Sequence, residues 1–476
     1  MNAPIVRLFA VVVALFGVLV LFTSRWTVFQ ASSLNNNPLN VRTLLDELQI
    51  KRGQILADDG TVLARSVPAP QNTWSRFYPT RDLFSQAVGY SIAAQGRQAG
   101  LEQSAGSDLR GVRTGLGTIF GQHSPRPVGD DVHTTLDPKA QRVAAQERAG
   151  RVGSVVALDP RTGAVLTMYA NPTYDNNNPD PKACKMPSCL VNNSTQAAWP
   201  PGSTFKVVTA AAAIDSGKYT PNSMVNGDSP KTISGVPLQN DNNQSFGNID
   251  LTTALTYSVN TVWAQVAEQV GRRTMTDYMK RFGFYAKPPL DYPSGQIRAS
   301  LPVAPNGRPY KVPGSPAEDI GRIGIGQGGL LVTPLQMAMV AAAVANNGTL
   351  MKPYFVNKVV DQDGRTVKTT SPSVYNEVMK PSTAQALSQM MRRVVEEGTG
   401  TPAQLGGISV AGKTGTASIG APGSGLTQPW FIGFAPADNP KVAVAVTIAQ
   451  TQGGFGGTVA APIARSVIQT LLAEGK

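Results

Sequence analysis

Histidine and cysteine are scarce in this chain, and their scarcity narrows the chemistry open to it. Two histidines, His123 and His133, and two cysteines occur among 476 residues. Neither histidine stands near a cysteine, so the sequence argues against a zinc site, and we expect neither a metal nor another cofactor. A Ser-His-Asp triad is also hard to assemble from so few histidines. A serine nucleophile here would need a different base.

Charged side chains are few as well, at 15% of the residues. Lys and Arg number 42 against 30 Asp and Glu, which gives a net charge of +12. The basic residues are scattered rather than gathered into a run, and no zinc-finger or aromatic-basic pattern accompanies them, so we do not expect nucleic acid as a partner. A basic chain also suits an anionic membrane surface or cell wall.

The two cysteines, Cys184 and Cys189, lie close together in the segment KACKMPSC. This segment belongs to a stretch rich in Pro and Asn, which predicts a surface loop. In an exported protein the pair can form a small disulfide. A pair of free thiols remains the alternative.

One long apolar run stands near the N-terminus, with residues 8–22 uninterrupted by a polar side chain. Residues 5–24 come close to the roughly 20 residues that a membrane-spanning helix needs. We therefore predict a cytoplasmic N-terminus at 1–4, an anchor at 5–24 and a polar tether at 25–40. A cleaved signal peptide is the alternative, but no A-x-A cleavage site follows the run. Either interpretation places the remaining chain outside the cytoplasm.

The length of the chain indicates two or three domains, and a boundary is expected near residue 150. Residues 51–66 predict a hairpin around Asp59-Gly60, and residues 131–150 predict a strand followed by a helix from Asp137-Pro138. Strands at both ends with helices between them indicate an α+β or three-layer second domain. The pattern there predicts a hairpin at 153–170, a helix within 330–348, strands at 409–418, 430–436 and 441–450, and a final helix at about 460–474.

The segment WPPGSTFK places Ser203 three residues before Lys206. Two prolines and a glycine end any preceding element, so a helix can begin at Ser203, and the two side chains then share one face. A serine hydroxyl becomes a good nucleophile when a base takes its proton, and a lysine of lowered pKa can act as that base. By itself the spacing is weak evidence, because an N-cap serine followed by a surface lysine looks the same.

A second segment carries side chains that could take part in the same reaction as Ser203 and Lys206. Ser258 and Asn260 lie in a predicted break between two helices, where the hydroxyl can relay a proton and the amide can hold a substrate amide. Ser258 and Asn260 could also be ordinary helix-capping residues.

The third segment is Lys413-Thr414-Gly415-Thr416, which lies in a predicted strand. Lys413 can depress the pKa of Lys206 and attract a substrate carboxylate, which Thr414 and Thr416 can bind. We expect Gly415 to leave room for the substrate backbone and the N–H groups of Ser203 and Thr416 to form an oxyanion hole. The alternative is a solvated lysine at a strand edge.

The order S-x-x-K, S-x-N, K-T-G resembles the motif set of penicillin-binding proteins and class A β-lactamases. The whole chain is similar to class B penicillin-binding proteins in their compact actinobacterial form. Further segments carry this resemblance: Arg52-Gly53, Gly100-Leu101-Glu102, Thr135-Leu136-Asp137, 324–328 and 333–336. It implies an antiparallel five-stranded sheet flanked by helices at 151–476, and a mainly β pedestal domain at 41–150.

The resemblance also implies a reaction. Ser203 would attack the D-Ala-D-Ala end of a peptidoglycan stem peptide, with Lys206, Ser258 and Lys413 in catalytic roles, and an amine of a neighbouring stem would take the acyl group. β-Lactams would acylate Ser203. Expected partners are the plasma membrane and a SEDS-type glycosyltransferase or other division or elongation proteins, with the catalytic domain extracellular. Alternatives are a D,D-carboxypeptidase, a β-lactamase and a non-catalytic β-lactam-binding scaffold.

Overall fold

The computed structural model describes residues 3–25, 47–112, 128–180, 189–421 and 423–476. Its strands, in chain order, are β1 Ile55–Leu56, β2 Val62–Ala69, β3 Thr73–Phe77, β4 Ser91–Ile92, β5 Arg97–Gln98, β6 Asp131–Thr134, β7 Gly153–Leu158, β8 Val165–Asn171, β9 Met224–Asn226, β10 Lys231–Ile233, β11 Val236–Leu238, β12 Asn248–Asp250, β13 Leu301–Pro302, β14 Leu330–Leu331, β15 Thr349–Met351, β16 Val356–Val360, β17 Thr366–Thr369, β18 Val374–Glu377, β19 Ala411–Ser418, β20 Leu426–Ala435, β21 Val442–Ile448 and β22 Thr451–Gln452.

The α-helices, again in chain order, are α1 Ala3–Ser24, α2 Ser85–Val88, α3 Gly100–Ser104, α4 Gly106–Leu109, α5 Pro138–Glu147, α6 Lys206–Asp215, α7 Leu251–Thr256, α8 Asn260–Val270, α9 Arg272–Arg281, α10 Ile320–Gly324, α11 Pro334–Ala345, α12 Pro381–Glu396 and α13 Ala461–Ala473. Predicted elements lie where the periodicity placed them: the two hairpins, the strand before α5, the helix within 330–348, the three late strands and the final helix. Asp137 caps α5 as expected, since its side chain accepts a hydrogen bond from the Ala140 N–H.

The N-terminal helix α1 contains 22 residues and buries none of them. Among the described residues it is the one helix that is long and apolar enough to cross a membrane. It includes the predicted anchor 5–24 and is consistent with a single-pass membrane anchor. The predicted tether lies outside the described residues, apart from Arg25.

The second half of the chain is built on an antiparallel sheet in the order β19-β20-β21-β7-β8. This roughly matches the expected five strands, because the two-residue β22 adds a short sixth strand by pairing with β20. Strand β7 is buried along its whole length. Its residues alternate between two apolar clusters, with Val155 in one and Val156 in the other. The sheet is therefore covered on both faces, as the three-layer expectation required.

Different helices form the two covering layers. On one face α5 and α13 pack together and bury Ala140, Ala144, Ala464 and Val467. On the other face the Ala- and Val-rich helices α6 and α11 supply the cluster that contains Trp263 and Trp430. Residues 199–205, which contain the predicted nucleophile Ser203 and are called the nucleophile segment below, precede α6 directly, so the second layer fixes their position against β19.

A separate six-stranded sheet, the pedestal sheet, has the order β17-β16-β6-β1-β2-β3. Strands β1 and β6 are parallel, and the other pairs are antiparallel. Two of its strands, β16 and β17, come from the predicted second domain at 151–476, while α5 from the predicted pedestal domain at 41–150 packs on β8 of the other sheet. The predicted division at residue 150 therefore does not separate the two sheets cleanly.

The pedestal contains a buried ion triad. Glu102 is fully buried, and its carboxylate lies 2.9 Å from an Arg52 guanidinium nitrogen and 2.6 Å from Arg76 Nε. Burial alone would raise the pKa of Glu102, but the charges of Arg76 and Arg52 outweigh it and hold that pKa below its usual value. The Arg52-Gly53 and Gly100-Leu101-Glu102 segments meet at this triad.

Residues 224–250 contain two small antiparallel ladders, β9 with β12 and β10 with β11. The sequence pattern predicted helices from Ser203 onward and did not anticipate these strands. Each strand has three residues, too few for a period-2 pattern to emerge. This segment carries the turn at Asp241–Asn243, which reaches the candidate site.

Candidate active site

The nucleophile segment is held at both ends by backbone hydrogen bonds. Trp199 exchanges two of them with Val332, both at 2.9 Å, and the Gly202 N–H donates to the Gly326 carbonyl at 3.1 Å. A 3₁₀ turn, Gly202–Phe205, follows, and α6 begins at Lys206. The α-helix thus starts one turn later than predicted. Ser203 lies in the tighter turn that precedes it.

Glycines allow this segment to approach its neighbours. Gly202 has φ +53°, and a Cβ on it would lie 2.9 Å from the Thr416 carbonyl oxygen and 3.2 Å from the Thr416 nitrogen. The Thr416 peptide therefore lies beside the Gly202–Ser203 peptide. Pro429, which has no N–H, faces Thr416 on β20. The oxyanion hole formed by Ser203 and Thr416 stays a prediction that this proximity favours.

Lys206 is completely buried, and its Nζ has three acceptors. It donates to the Ser258 carbonyl at 2.6 Å, the Asn260 Oδ1 at 2.6 Å and the Ser258 Oγ at 3.2 Å. Burial and the charge of Lys413 lower the pKa of Lys206 well below its ordinary value, against an opposing effect of Asp241. A lysine whose pKa is lowered in this way loses its proton more readily, and its neutral form can accept a proton.

Ser258 sits between the two helices α7 and α8, as the sequence predicted. Its backbone has φ +61°, a left-handed conformation that is unusual for a residue with a side chain. The conformation turns the chain so that the Ser258 hydroxyl and the Asn260 amide both reach Lys206. Strain of this kind is found where the surrounding structure enforces it, often at functional sites.

Lys413 is the second completely buried lysine. Its Nζ donates to the Ser258 Oγ and to the Thr414 carbonyl, each at 3.0 Å. Burial lowers the pKa of Lys413 to about 7, again against an opposing effect of Asp241. Two lysines from distant parts of the chain therefore share one serine hydroxyl. This arrangement can move a proton from one side of the site to the other.

The threonines of the third motif already have partners within the protein. The Thr414 and Thr399 hydroxyls are 2.5 Å apart, and the Thr416 Oγ1 accepts a hydrogen bond from the Gly456 N–H at 3.1 Å. Sequence reasoning missed Thr399 and Gly456, because neither belongs to a recognisable motif. The Thr416 hydroxyl can still donate its hydrogen bond to a ligand carboxylate, and the Thr414 hydroxyl can do so when Thr399 is the donor of their shared hydrogen bond.

Gly415 has a packing role that the sequence did not predict, because a Cβ there would lie 2.7 Å from the Pro201 carbonyl oxygen and 3.1 Å from the Thr204 nitrogen. The missing side chain therefore makes room for the nucleophile segment itself. Gly415 lets β19 and the Ser203 turn pack in direct contact. It also lines the cavity, so the room that we expect it to leave for the substrate backbone stays a prediction.

These residues surround a cavity of about 390 Å³. Ser203, Ser258, Asn260 and Thr416 line it, and Lys206 and Lys413 lie behind its wall. Among the described lining residues, Asp241 carries the one charged side chain. The surrounding segment QNDNNQ is polar, but it carries no motif that would predict its place at the site.

The structure describes one of the two cysteines. Cys189 is buried and disulfide-bonded, and its carbonyl accepts a hydrogen bond from the Gln86 side chain at 2.8 Å. Cys184 lies outside the described residues, so the pairing of Cys184 with Cys189 stays a prediction. His133 lies in β6 of the pedestal sheet, away from the cavity lining.

Comparison with family models gives two matches along the chain. Residues 153–469 match the penicillin binding protein transpeptidase domain. Residues 52–118 match the penicillin binding protein A dimerisation domain. The first match spans more than half of the chain and includes all three motifs.

Among curated proteins, the chain is 33% identical to the peptidoglycan D,D-transpeptidase PbpA of Mycolicibacterium smegmatis, with 100% of each chain covered. It is similar in structure to penicillin-binding protein A of Mycobacterium tuberculosis in its ceftriaxone acyl-enzyme complex, with a TM-score of 0.78, 30% identity and coverage of 90% of this chain and 100% of the other. The penicillin G acyl-enzyme complex of that protein matches with a TM-score of 0.76 and 30% identity over 89% and 99% of the two chains.

Proposed function

This chain belongs to the penicillin-binding protein transpeptidase family, and we propose that it is a peptidoglycan D,D-transpeptidase whose nucleophile is Ser203. The observation that carries this proposal is the shared contact of Lys206 and Lys413 with the Ser258 hydroxyl, at the wall of the cavity that Ser203 lines. A buried lysine of lowered pKa supplies the base that a histidine supplies in other serine enzymes. The relatives named as D,D-transpeptidases support the same reaction.

In the first step the Ser203 Oγ attacks the carbonyl carbon of the penultimate D-Ala of a donor stem peptide. Lys206 takes the hydroxyl proton, and the oxyanion forms beside the N–H groups of Ser203 and Thr416. The bond to the terminal D-Ala then breaks. Its nitrogen receives a proton through the Ser258 hydroxyl, which both lysines contact. The products are an ester on Ser203 and free D-Ala.

The donor carboxylate binds at the β19 side of the cavity. The Lys413 ammonium supplies positive potential there, and Thr414 and Thr416 donate hydrogen bonds to the carboxylate. Asn260 holds the peptide amide of the donor. In the second step an amine of a neighbouring stem attacks the ester, and the amine proton returns to the Ser203 Oγ. β-Lactams enter by the first step and stay attached to Ser203.

Covalent labelling tests this proposal directly. Full-length protein in detergent is incubated with fluorescent penicillin beside Ser203→Ala, and the adduct is measured by gel and by intact mass. A stable adduct on the wild type alone supports Ser203 as the nucleophile, whereas rapid loss of the adduct would favour a β-lactamase. No adduct at high penicillin and long times would overturn the proposal.

We also propose that α1 anchors the chain with its catalytic domain outside the plasma membrane. Cross-linked peptidoglycan lies on that side, and the substrate must reach Ser203. Protease added to intact cells should cleave the catalytic domain, and protection of the domain would contradict this orientation.

The pedestal would dock division or elongation proteins, among them a SEDS-type glycosyltransferase. Its support is the resemblance to class B proteins, together with a sheet set apart from the cavity. Cross-linking in cells from an exposed pedestal position, such as Phe77, tests this docking. Recovery of no cell-wall protein would argue against it.

A further inference from the structure

The cavity contains one acidic side chain that the proposed donor step does not use. Asp241 is exposed and lines the same cavity as Ser203. The donor stem ends in a carboxylate, which an acidic group repels. Asp241 opposes the lowering of the pKa of Lys206 and Lys413, but its exposed carboxylate also faces the cavity, where it can bind a ligand of the opposite charge.

Asp241 lies on the side of the cavity that is formed by Ser258 and Asn260. The Asn260 Nδ2 lies 3.5 Å from the Asp241 Oδ1, and the Asn260 Oδ1 accepts from the Lys206 Nζ at 2.6 Å. Asp241 thus stands next to the Ser258–Asn260 wall, where the leaving amine receives its proton. By microscopic reversibility the incoming amine must attack from the side on which the first amine left.

The turn that carries Asp241 is held firmly against this wall. The neighbouring Asn240 is buried, and its side chain donates to the Gly227 and Gln244 carbonyls at 3.0 and 2.8 Å. Its Oδ1 accepts from the Thr261 N–H at 2.9 Å, one residue beyond Asn260. The Asp241 side chain caps no described helix and forms no ion pair with a described residue. Its carboxylate is therefore placed by the fold and left accessible.

From this geometry, and resting on the proposed transpeptidase function, we infer that Asp241 binds the cationic amine of the acceptor stem peptide and selects ammonium-bearing acceptors. The two ends of the cavity are complementary to the two substrates. Lys413 and the threonines favour the donor carboxylate, and Asp241 favours an ammonium group.

An acceptor ammonium group held at Asp241 must lose two protons to become the amide of the cross-link. The ammonium releases one proton to water, because an amine needs its lone pair to attack. The neutral nitrogen then forms a bond to the ester carbon while the bond from that carbon to the Ser203 Oγ breaks. The second proton moves from the nitrogen to the Ser203 Oγ through Lys206. Asp241 raises the local concentration of the amine and is not consumed.

The test compares two acceptors on the same acyl-enzyme. Full-length wild type and Asp241→Asn are acylated by a thioester donor whose acyl part ends in D-Ala. The acyl group is then transferred either to a lysine-containing peptide, which is cationic, or to hydroxylamine, which is uncharged at neutral pH. The ratio of the two transfer rates should fall about tenfold in Asp241→Asn, as expected for loss of one nearby charge at moderate screening. High salt should lower the wild-type ratio and leave the variant ratio unchanged.

Two controls separate the possible failures. Asp277→Asn removes the same charge from an exposed position on α9 that does not line the cavity, and it should leave the ratio unchanged. Labelling by penicillin shows that each variant is folded and acylated. An unchanged ratio in Asp241→Asn, or an equal fall for both acceptors, would overturn the inference while the transpeptidase proposal stands. Failure of the wild type to label would overturn both.

Discussion

The Lys413 Nζ lies 3.0 Å from the Ser258 Oγ, although the two residues are 155 positions apart in the chain. Lys206 contacts the same hydroxyl, so two buried amines lie close together. The charge of Lys413 helps to lower the pKa of Lys206, which favours a state in which Lys413 is the charged member of the pair. We therefore expect the protonation of these two lysines to set the pH dependence of acylation.

The pH profile of Ser203 acylation should therefore have an alkaline limb, in which the rate constant falls as the pH rises past neutrality. In the free enzyme the pKa of Lys413 is lowered to about 7 by burial, so its ammonium is lost as the pH rises through that value. The neutral form no longer attracts the donor carboxylate, and kcat/KM for a D-Ala-ended donor falls. The measurement is the second-order acylation constant from pH 5 to 10.

Lys413→Arg provides the matched control for this profile. Arginine keeps its charge throughout the range, so the alkaline limb should disappear whatever the absolute rate of the variant. An alkaline limb that persists in Lys413→Arg, or a wild-type profile flat up to pH 10, would contradict the assignment of this limb to Lys413.

The left-handed backbone at Ser258 allows its hydroxyl to be tested apart from its conformation. Ser258→Ala and Ser258→Gly both remove the hydroxyl that contacts the two lysines, so both should lose about 100-fold or more in acylation rate. Glycine accepts φ +61° readily, whereas alanine does not. Ser258→Gly should therefore be more stable than Ser258→Ala by about 1 kcal/mol in urea unfolding.

The two measurements on Ser258 have distinct failure modes. If Ser258→Gly retained nearly wild-type acylation, the proposed proton relay through the hydroxyl would be wrong. If both variants were equally stable, the backbone at this position would carry no strain.

Gly415→Ala should damage the site through packing rather than through lost chemistry. The added Cβ would come within 2.7 Å of the Pro201 carbonyl oxygen, so β19 and the Ser203 turn must move apart. We expect acylation to fall more than tenfold and stability to fall by about 1–3 kcal/mol. Gly406→Ala is the control, because a Cβ there has no neighbour within 4 Å. Equal behaviour of the two variants would show that Gly415 is not a packing glycine.

The three motifs could be identified from the sequence, because each has a fixed internal spacing and a known chemical use. Ser203 and Ser258 line one cavity, and Lys206 and Lys413 both contact the Ser258 hydroxyl, while the catalytic roles of the four residues stay a prediction. Sequence reasoning missed partners that have no local pattern: Thr399 beside Thr414, Gly456 beside Thr416, and Asp241 at the cavity. Such contacts depend on chain segments brought together by folding, which periodicity and spacing do not encode.

The same reason explains why the sequence did not predict two strands of the pedestal sheet. The β16–β17 hairpin belongs to the second half of the chain yet completes the pedestal sheet by pairing with β6. A strand of alternating residues predicts a sheet but does not name its partner. The helix α5 illustrates the converse, because its Pro and Asp predicted where it begins but not which sheet it covers.

The buried triad of the pedestal gives a prediction about stability and pH. Glu102→Gln leaves Arg52 and Arg76 buried without their shared carboxylate, which should destabilise the protein by about 3 kcal/mol at pH 7. Since the folded-state pKa of Glu102 is lowered, its contribution is complete above the unfolded value, about 4.3, and disappears as the pH falls through the folded value. The stability difference between wild type and variant should therefore shrink at pH 3.

Urea unfolding at pH 7, 5 and 3 measures this difference. The control is Glu147→Gln on the exposed face of α5, which should stay within about 0.5 kcal/mol of wild type. A difference that is constant with pH would mean that the Glu102 charge does not stabilise the pedestal.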